Sequence, residues 1–172
     1  AAPPLYTTYP CGVCIEHNGN LTNTAELAAE LTRNMRHVNT DSDSEMLVNI
    51  FAHALADAVK RRRDDAAARG ALDAETADFV ADDVFAAVRG VMAKCRGGYS
   101  VVMLVNKLGL VAFRDPHGIR PVVYGRRAHA AEGAGATQAA EGPLYDHAFM
   151  SESVAFDALG FELVREPPRR AR

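Results

Sequence analysis

His17-Asn18-Gly19-Asn20-Leu21-Thr22-Asn23 joins two segments of different period. Before it, Val13 and Ile15 alternate with Cys14 and Glu16, the pattern of a short strand. After it, Thr22 to Leu31 reads as a capped helix, with Leu27, Leu31 and Met35 as its buried stripe. An Asn-Gly pair commonly makes a tight hairpin turn, because both residues tolerate positive φ, but no alternating strand follows to complete a hairpin. The expected order is therefore strand, Asn-Gly corner, helix. Such a corner can bring the Asn18 carboxamide NH2 and the Gly19 backbone N–H to one point, with no Cβ on Gly19 in the way. Two convergent neutral donors suit an oxyanion or a polarised carbonyl. The same residues also serve a purely structural corner.

The chain has 172 residues, enough for one domain with the core of a mid-sized one. Its 48% hydrophobic and 24% charged content is ordinary for a soluble globular protein. A net charge of −3, with arginines in small scattered groups, does not point to nucleic acid. No apolar run reaches the roughly 18 residues of a membrane span. The opening Ala1-Ala2-Pro3-Pro4 lacks both Met and a signal pattern and reads as the start of an internal fragment. Three cysteines, an odd number, make no disulfide framework. Cys11-Gly12-Val13-Cys14 has the spacing of redox and zinc sites, but only Cys95 and scattered histidines could complete the roughly four ligands zinc needs. The thiols read as buried or incidental.

The first helix runs from Asn23 or Thr24 to near Asn34, with Glu26 placed to close a capping box. The second opens at Thr40-Asp41-Ser42-Asp43-Ser44-Glu45, where Ser42 and Glu45 form an S-x-x-E box and leave Asp41 and Asp43 free of capping. Its apolar face is Met46, Leu47, Ile50, Phe51, Ala54, Leu55 and Val59. It ends in Lys60-Arg61-Arg62-Arg63, cations suited to a helix C-terminus or to a solvated face. A connection from Asp64 to Leu72 leads to a third helix, Asp73 to Lys94, with Val80, Val84, Ala87, Val88, Val91 and Met92 inward. The period then changes. Tyr99 to Val105 is a nearly continuous apolar run, as in a strand covered on both faces, and Lys107-Leu108-Gly109 turns it into Leu110 to Arg114 as a hairpin. Arg114 to Pro121 reads as a loop in which Arg114 and Arg120 can pair with Asp115 or with an anionic ligand. Val122 to Tyr124 is a short strand, and Arg126 to Gly142 reads as a mobile surface insertion without periodicity. A strand from Ala148 to Ser151, a short helix from Ser153 to Leu159 and a strand from Phe161 to Arg165 follow, with Glu152 and Ser153 leading into the helix. The order suits a layered α/β or α+β domain.

Four stretches together resemble one family: His17 to Asn23, Cys95-Arg96-Gly97-Gly98-Tyr99, Phe113-Arg114-Asp115-Pro116-His117-Gly118-Ile119-Arg120-Pro121, and Ser151 to Phe161. They are similar to the N-terminal class II glutamine amidotransferase domain of glutamine phosphoribosylpyrophosphate amidotransferases, and they recur in that family's order. The likeness makes residues 1–166 a partial glutaminase domain and 167–172 a frayed tail, and it does not reach the phosphoribosyltransferase domain. It implies an α+β, N-terminal-nucleophile hydrolase fold, a four-layer αββα sandwich with two antiparallel sheets, here incomplete at the N-terminus.

The chemistry implied by the resemblance is hydrolysis of the glutamine side-chain amide by an N-terminal Cys thiolate, with the chain's α-amine accepting the proton. Asn18 and Gly19 would hold the oxyanion, and Asp43 the α-amino group of glutamine. A carboxylate in a helix's first turn fits that role, since the positive helix end keeps it ionised, although such residues also serve simply as dipole complements. Ammonia would pass to phosphoribosylpyrophosphate and give phosphoribosylamine, in de novo purine synthesis. Residue 1 is Ala1, so the isolated chain is expected to be inactive. The alternative is a non-catalytic glutamine-sensing or assembly domain that keeps the fold. The resemblance further implies no cofactor in this chain, Mg with the phosphoribosyltransferase domain, and an iron–sulphur cluster in some members. It implies a cytoplasmic protein, a homo-oligomer at full length, with glutamine and phosphoribosylpyrophosphate as partners and neither nucleic acid nor membrane.

Overall fold

The computed structural model describes residues 4–70, 79–128 and 144–165. In chain order the elements are β1 Leu5–Thr7, β2 Val13–Leu21, α1 Thr24–Arg33, α2 Asp43–Ala68, α3 Ala81–Lys94, β3 Gly97–Val105, β4 Gly109–Arg114, β5 Val123–Ala128, β6 Tyr145–Met150, α4 Val154–Leu159 and β7 Glu162–Arg165. They build two antiparallel sheets, ordered β1-β2-β3-β4 and β6-β5-β7. This is the α+β class with paired antiparallel sheets that the sequence implied.

Period-two burial makes the first sheet one wall of the core. Val13, Ile15 and Leu21 of β2 and Val101, Met103 and Val105 of β3 face Leu27 and Leu31 of α1, Leu47, Ile50, Phe51 and Leu55 of α2, and Val84, Val88 and Val91 of α3. Each such side chain contributes about 1.5–3 kcal/mol when fully buried. On the second sheet Phe156 of α4 lies over Gly125, so closely that a Cβ there would stand 2.9 Å from the ring. Where the sheets meet, Met92, Phe113 and Pro116 face Val123, Tyr124 and Phe149 across a cavity of about 350 Å³. Among the described residues no helix is long and apolar enough to cross a membrane.

Several local expectations are corrected. The Asn-Gly pair is no corner: β2 continues through it to Leu21, and Asn18, Gly19, Asn20 and Leu21 pair with Ser100, Tyr99, Gly98 and Gly97. Its partner strand comes from the distant second half of the chain, so no local pattern announces it. The turn falls at Thr22-Asn23 instead. There the Asn23 side chain does not cap α1. Its Nδ2 donates to the Lys94 carbonyl and its Oδ1 accepts from Arg96 N–H, both at 3.0 Å. The expected box therefore does not form, and Glu26 meets Arg96 at 3.5 Å. Met35 lies beyond the helix at φ 57° and is 93% exposed, so the α1 stripe is Leu27 and Leu31 alone.

Glu45 does not cap α2 either. It turns back and accepts from the backbone N–H groups of Asn39 (2.7 Å) and Thr40 (2.8 Å) and from both side chains. The helix passes through Lys60–Arg63 to Ala68, because Asp64 one turn on gives Lys60 an ion pair at 2.6 Å and the alanines that follow are strong helix formers. Ala52 and Ala58 are buried on it, while Ala54 and Val59 are only partly so. Among the described residues α3 begins at Ala81; the expected start at Asp73 lies outside them. Val80 precedes the helix, exposed rather than inward, and its N–H donates to Asp83 Oδ2 at 3.0 Å.

β3 is buried along one face at Tyr99, Val101, Met103 and Val105 and only partly along the other, where Ser100 is buried but Leu104 is 56% exposed. β4 returns as the expected hairpin, with Lys107 at φ 65° in its turn. β5 runs to Ala128 and β6 starts at Tyr145, so Arg126 and Arg127, expected in the insertion, are strand residues. The rest of that insertion, and the tail at 167–172, lie outside the described residues.

Candidate functional site

Three backbones lie side by side at one end of the first sheet: β2 at Asn18–Leu21, β3 at Gly97–Ser100, and the loop 115–120 that follows β4. Glycines set the spacing. Gly19 has φ 136° and Gly97 φ 134°, and a Cβ on Gly19 would also come within 2.8 Å of Tyr99 Cα. On the outer side of β3, Ile119 packs onto Gly98, where a Cβ would lie 2.6 Å from its Cγ2.

The loop is held by one carboxylate. Asp115 is 2% exposed and accepts backbone N–H groups from Tyr99 (3.3 Å), His117 (2.9 Å), Ile119 (2.9 Å) and Arg120 (3.1 Å). Burial alone would raise its pKa, but these donors outweigh burial and hold it below the ordinary value. The expected Arg–Asp115 pairing is thus replaced by backbone donors. Tyr99 is fully buried and packs edge-on against Phe113, with ring centroids 6.4 Å apart.

Asp43 is the first residue of α2 and reaches back to β2, where its Oδ2 accepts the Leu21 N–H at 3.2 Å. In an antiparallel ladder alternate residues send their N–H groups to the same edge of the strand. Gly19, two residues before Leu21, therefore shares the edge that Asp43 occupies. β1 pairs only as far along β2 as Ile15 and does not cover that edge at Gly19. Asn18 stands exposed on the opposite face of β2 from the helices, beside Ser100 on β3.

His17 faces the other way, under the first turn of α2. Its side chain is 2% exposed, with Nδ1 at 3.0 Å from Ser44 Oγ and 3.6 Å from Asp43 Oδ1. Nε2 is buried with no hydrogen-bond partner among the described residues. Burial lowers the ring's pKa; Asp43 and Glu16 oppose that effect and Arg120 adds to it.

The ladder and the α2 terminus thus connect Asn18 and Gly19 to Asp43 through His17 and Leu21. Sequence reasoning missed His17, although even spacing from Val13 and Ile15 placed it on the buried face. It also missed the Leu21 N–H, which meets Asp43 from a distant part of the chain, and the Asp115 anchor, whose donors are local at His117, Ile119 and Arg120 and distant only at Tyr99.

The cysteines are a different matter. Cys95 is buried and its thiol is pushed up to about 12 by burial, with Glu30 adding to the shift; burial raises Cys11 as well. Among the described residues no three His, Cys, Asp or Glu side chains gather as a metal site.

Residues 2–81 match a family model described as a glutamine amidotransferase domain. The amidophosphoribosyltransferase of Pseudomonas aeruginosa is 42% identical over 166 residues, covering 96% of this chain and 28% of that protein. The Escherichia coli amidophosphoribosyltransferase is 39% identical over the same share of each. Among solved structures, the glutamine phosphoribosylpyrophosphate amidotransferase of B. subtilis, complexed with ADP and GMP, matches with a TM-score of 0.58 at 20% identity. That match covers 95% of this chain and 27% of the other, and it speaks for the fold. The chain spans about a quarter of the length of the relatives it matches.

Proposed function

We propose, from its likeness to the amidophosphoribosyltransferases, that this chain is the glutamine-handling portion of such an enzyme. The observation that carries this reading is the shared edge of β2: Asp43 sits on the Leu21 N–H, and the Gly19 N–H points the same way two residues earlier. At about 3.3 Å per strand residue the two N–H groups stand roughly 6.6 Å apart. That is the scale of an extended glutamine from its side-chain carbonyl to its α-nitrogen.

In this reading the Gly19 N–H and the Asn18 carboxamide stabilise the oxyanion formed when the glutamine amide is attacked, each worth about 3 kcal/mol by analogy with other single donors. Asp43 binds the substrate ammonium through charge-assisted hydrogen bonds. The ammonia released goes to phosphoribosylpyrophosphate and gives phosphoribosylamine. Residues 1–166 form one glutaminase portion of a cytoplasmic, homo-oligomeric enzyme. Magnesium, and the cluster some members carry, belong on this reading to the phosphoribosyl-transfer portion of the relatives. We assign the attacking thiolate to none of Cys11, Cys14 or Cys95.

Calorimetric titration of the chain with glutamine tests the reading. Binding that is lost in Asp43→Asn supports it. Equal affinity in wild type and variant would remove Asp43 from the site.

A further inference from the structure

We propose that His17 is a positioning residue for the glutamine site: as a neutral imidazole carrying its proton on Nδ1 it orients the Asp43 carboxylate for the substrate ammonium, and once protonated it claims that carboxylate for itself. The inference rests on the reading of Asp43 as the ammonium ligand.

The geometry favours the Nδ1–H tautomer. Nδ1 faces two oxygens, Ser44 Oγ at 3.0 Å and Asp43 Oδ1 at 3.6 Å. A proton there donates to the hydroxyl and lies in the field of the carboxylate. With the proton on Nε2 instead, a lone pair would face the carboxylate, and a buried N–H would have no acceptor among the described residues. The Nδ1–H form avoids both.

Asp43 thus accepts the Leu21 N–H on Oδ2, while the imidazole edge lies 3.6 Å from Oδ1 and acts on it through its field. Both contacts are neutral, so the full negative charge remains for a ligand cation. The charged and titratable groups that act on the ring are Asp43 from α2, Glu16 from its own strand and Arg120 from the loop; across the ladder β3 presents only Val101. A second proton on the ring would place a cation beside Asp43, and the substrate ammonium would have to displace it. The positively charged Arg120 and the buried setting both oppose that proton, which keeps the site open near neutral pH.

Three proteins test the proposal. In His17→Asn the carboxamide NH2 takes the place of Nδ1–H but cannot be protonated; His17→Leu keeps bulk without a donor. Glutamine affinity of the wild type is expected to fall up to tenfold per pH unit once the ring titrates, while His17→Asn holds a flat profile down to about pH 5. His17→Leu is expected to bind about tenfold more weakly at pH 7.5 with circular dichroism unchanged. Nitrogen-15 shifts of His17 are expected to report the Nδ1–H tautomer. The Asp43 carboxyl carbon-13 signal should follow the ring's titration in the wild type and lose that step in His17→Asn. Identical pH profiles for wild type and His17→Asn, an Nε2–H tautomer, or an Asp43 signal blind to the ring would each overturn it. A wild type that binds no glutamine at any pH defeats the reading of Asp43, and the tautomer and carbon-13 measurements still decide whether His17 orients that carboxylate.

Discussion

Gly19 on β2 and Gly98 on β3 cross so closely that a Cβ on Gly19 would collide with the Gly98 carbonyl oxygen. The same holds one step along, where Gly97 passes the Asn20 carbonyl. Close approach and positive φ coincide at Gly19, so alanine there must both strain the backbone and push two strands apart. Gly19→Ala is expected to cost about 3–5 kcal/mol in urea unfolding and to abolish glutamine binding. Gly109 is the control: its φ is 118°, but nothing lies within 4 Å of where a methyl would stand, so Gly109→Ala is expected to cost only about 1–2 kcal/mol of backbone strain.

Asp43→Asn removes the charge and keeps a carbonyl oxygen for the Leu21 N–H. Calorimetry is expected to show glutamine affinity reduced about 10–100-fold, the worth of one charge-assisted contact, with the unfolding midpoint nearly unchanged. A large loss of stability instead would make the residue structural.

Acid should weaken the fold in two steps. His17 has a lowered pKa, so the unfolded chain binds its proton more readily, and stability falls as pH drops from about 6.5 toward the ring's folded value. Asp115 and Glu45 also have lowered pKa values. For Glu45, burial is outweighed by donors from Asn39 and Thr40. Their contribution is present above the ordinary carboxylate range of about 3.9–4.3 and is lost as pH falls through their folded values. Urea midpoints measured against pH should lose the first step in His17→Asn and have a shallower second step in Asp115→Asn. Asp115→Asn sets an NH2 against backbone donors and is expected to cost about 2–4 kcal/mol at neutral pH.

The 172-residue chain is expected to release glutamate from glutamine no faster than background in a coupled dehydrogenase assay. Burial raises the thiols of Cys11 and Cys95 away from the reactive thiolate. Cys14 lies four residues before Asn18 along an extended strand, about 13 Å away. Turnover that disappears in Cys14→Ser would refute this and supply the nucleophile.

Elements with a local cause were legible. Leu27 and Leu31 set α1, the apolar stripe set α2, and the Leu108-Gly109 turn set the β3–β4 hairpin. Misreadings arose where another partner, near or far along the chain, overrode a sound local signal. Ser42 and Glu45 spell a capping box, but the N–H groups of Asn39 and Thr40 bind the Glu45 carboxylate instead. Asn23 looks like a helix cap and bonds Lys94 and Arg96. Asn-Gly looks like a corner because its pairing strand lies far along the chain. Asn18, Gly19 and Asp43 could be named from short motifs and a family likeness, whereas His17 owes its role to Asp43 and Ser44, met only in the folded chain, and Asp115 to backbone donors of its own loop and of Tyr99.

Asp115 and Tyr99 bond each other reciprocally: the Asp115 N–H donates to the Tyr99 carbonyl at 2.8 Å, and the Tyr99 N–H donates to the Asp115 carboxylate at 3.3 Å. That reciprocal clasp closes the chain from Tyr99 to Asp115 into a ring and fastens the surface loop to its rim. Amide deuteration should accordingly find His117, Ile119 and Arg120 exchanging in step with the buried strand, as one cooperative unit, despite their place at the molecule's surface.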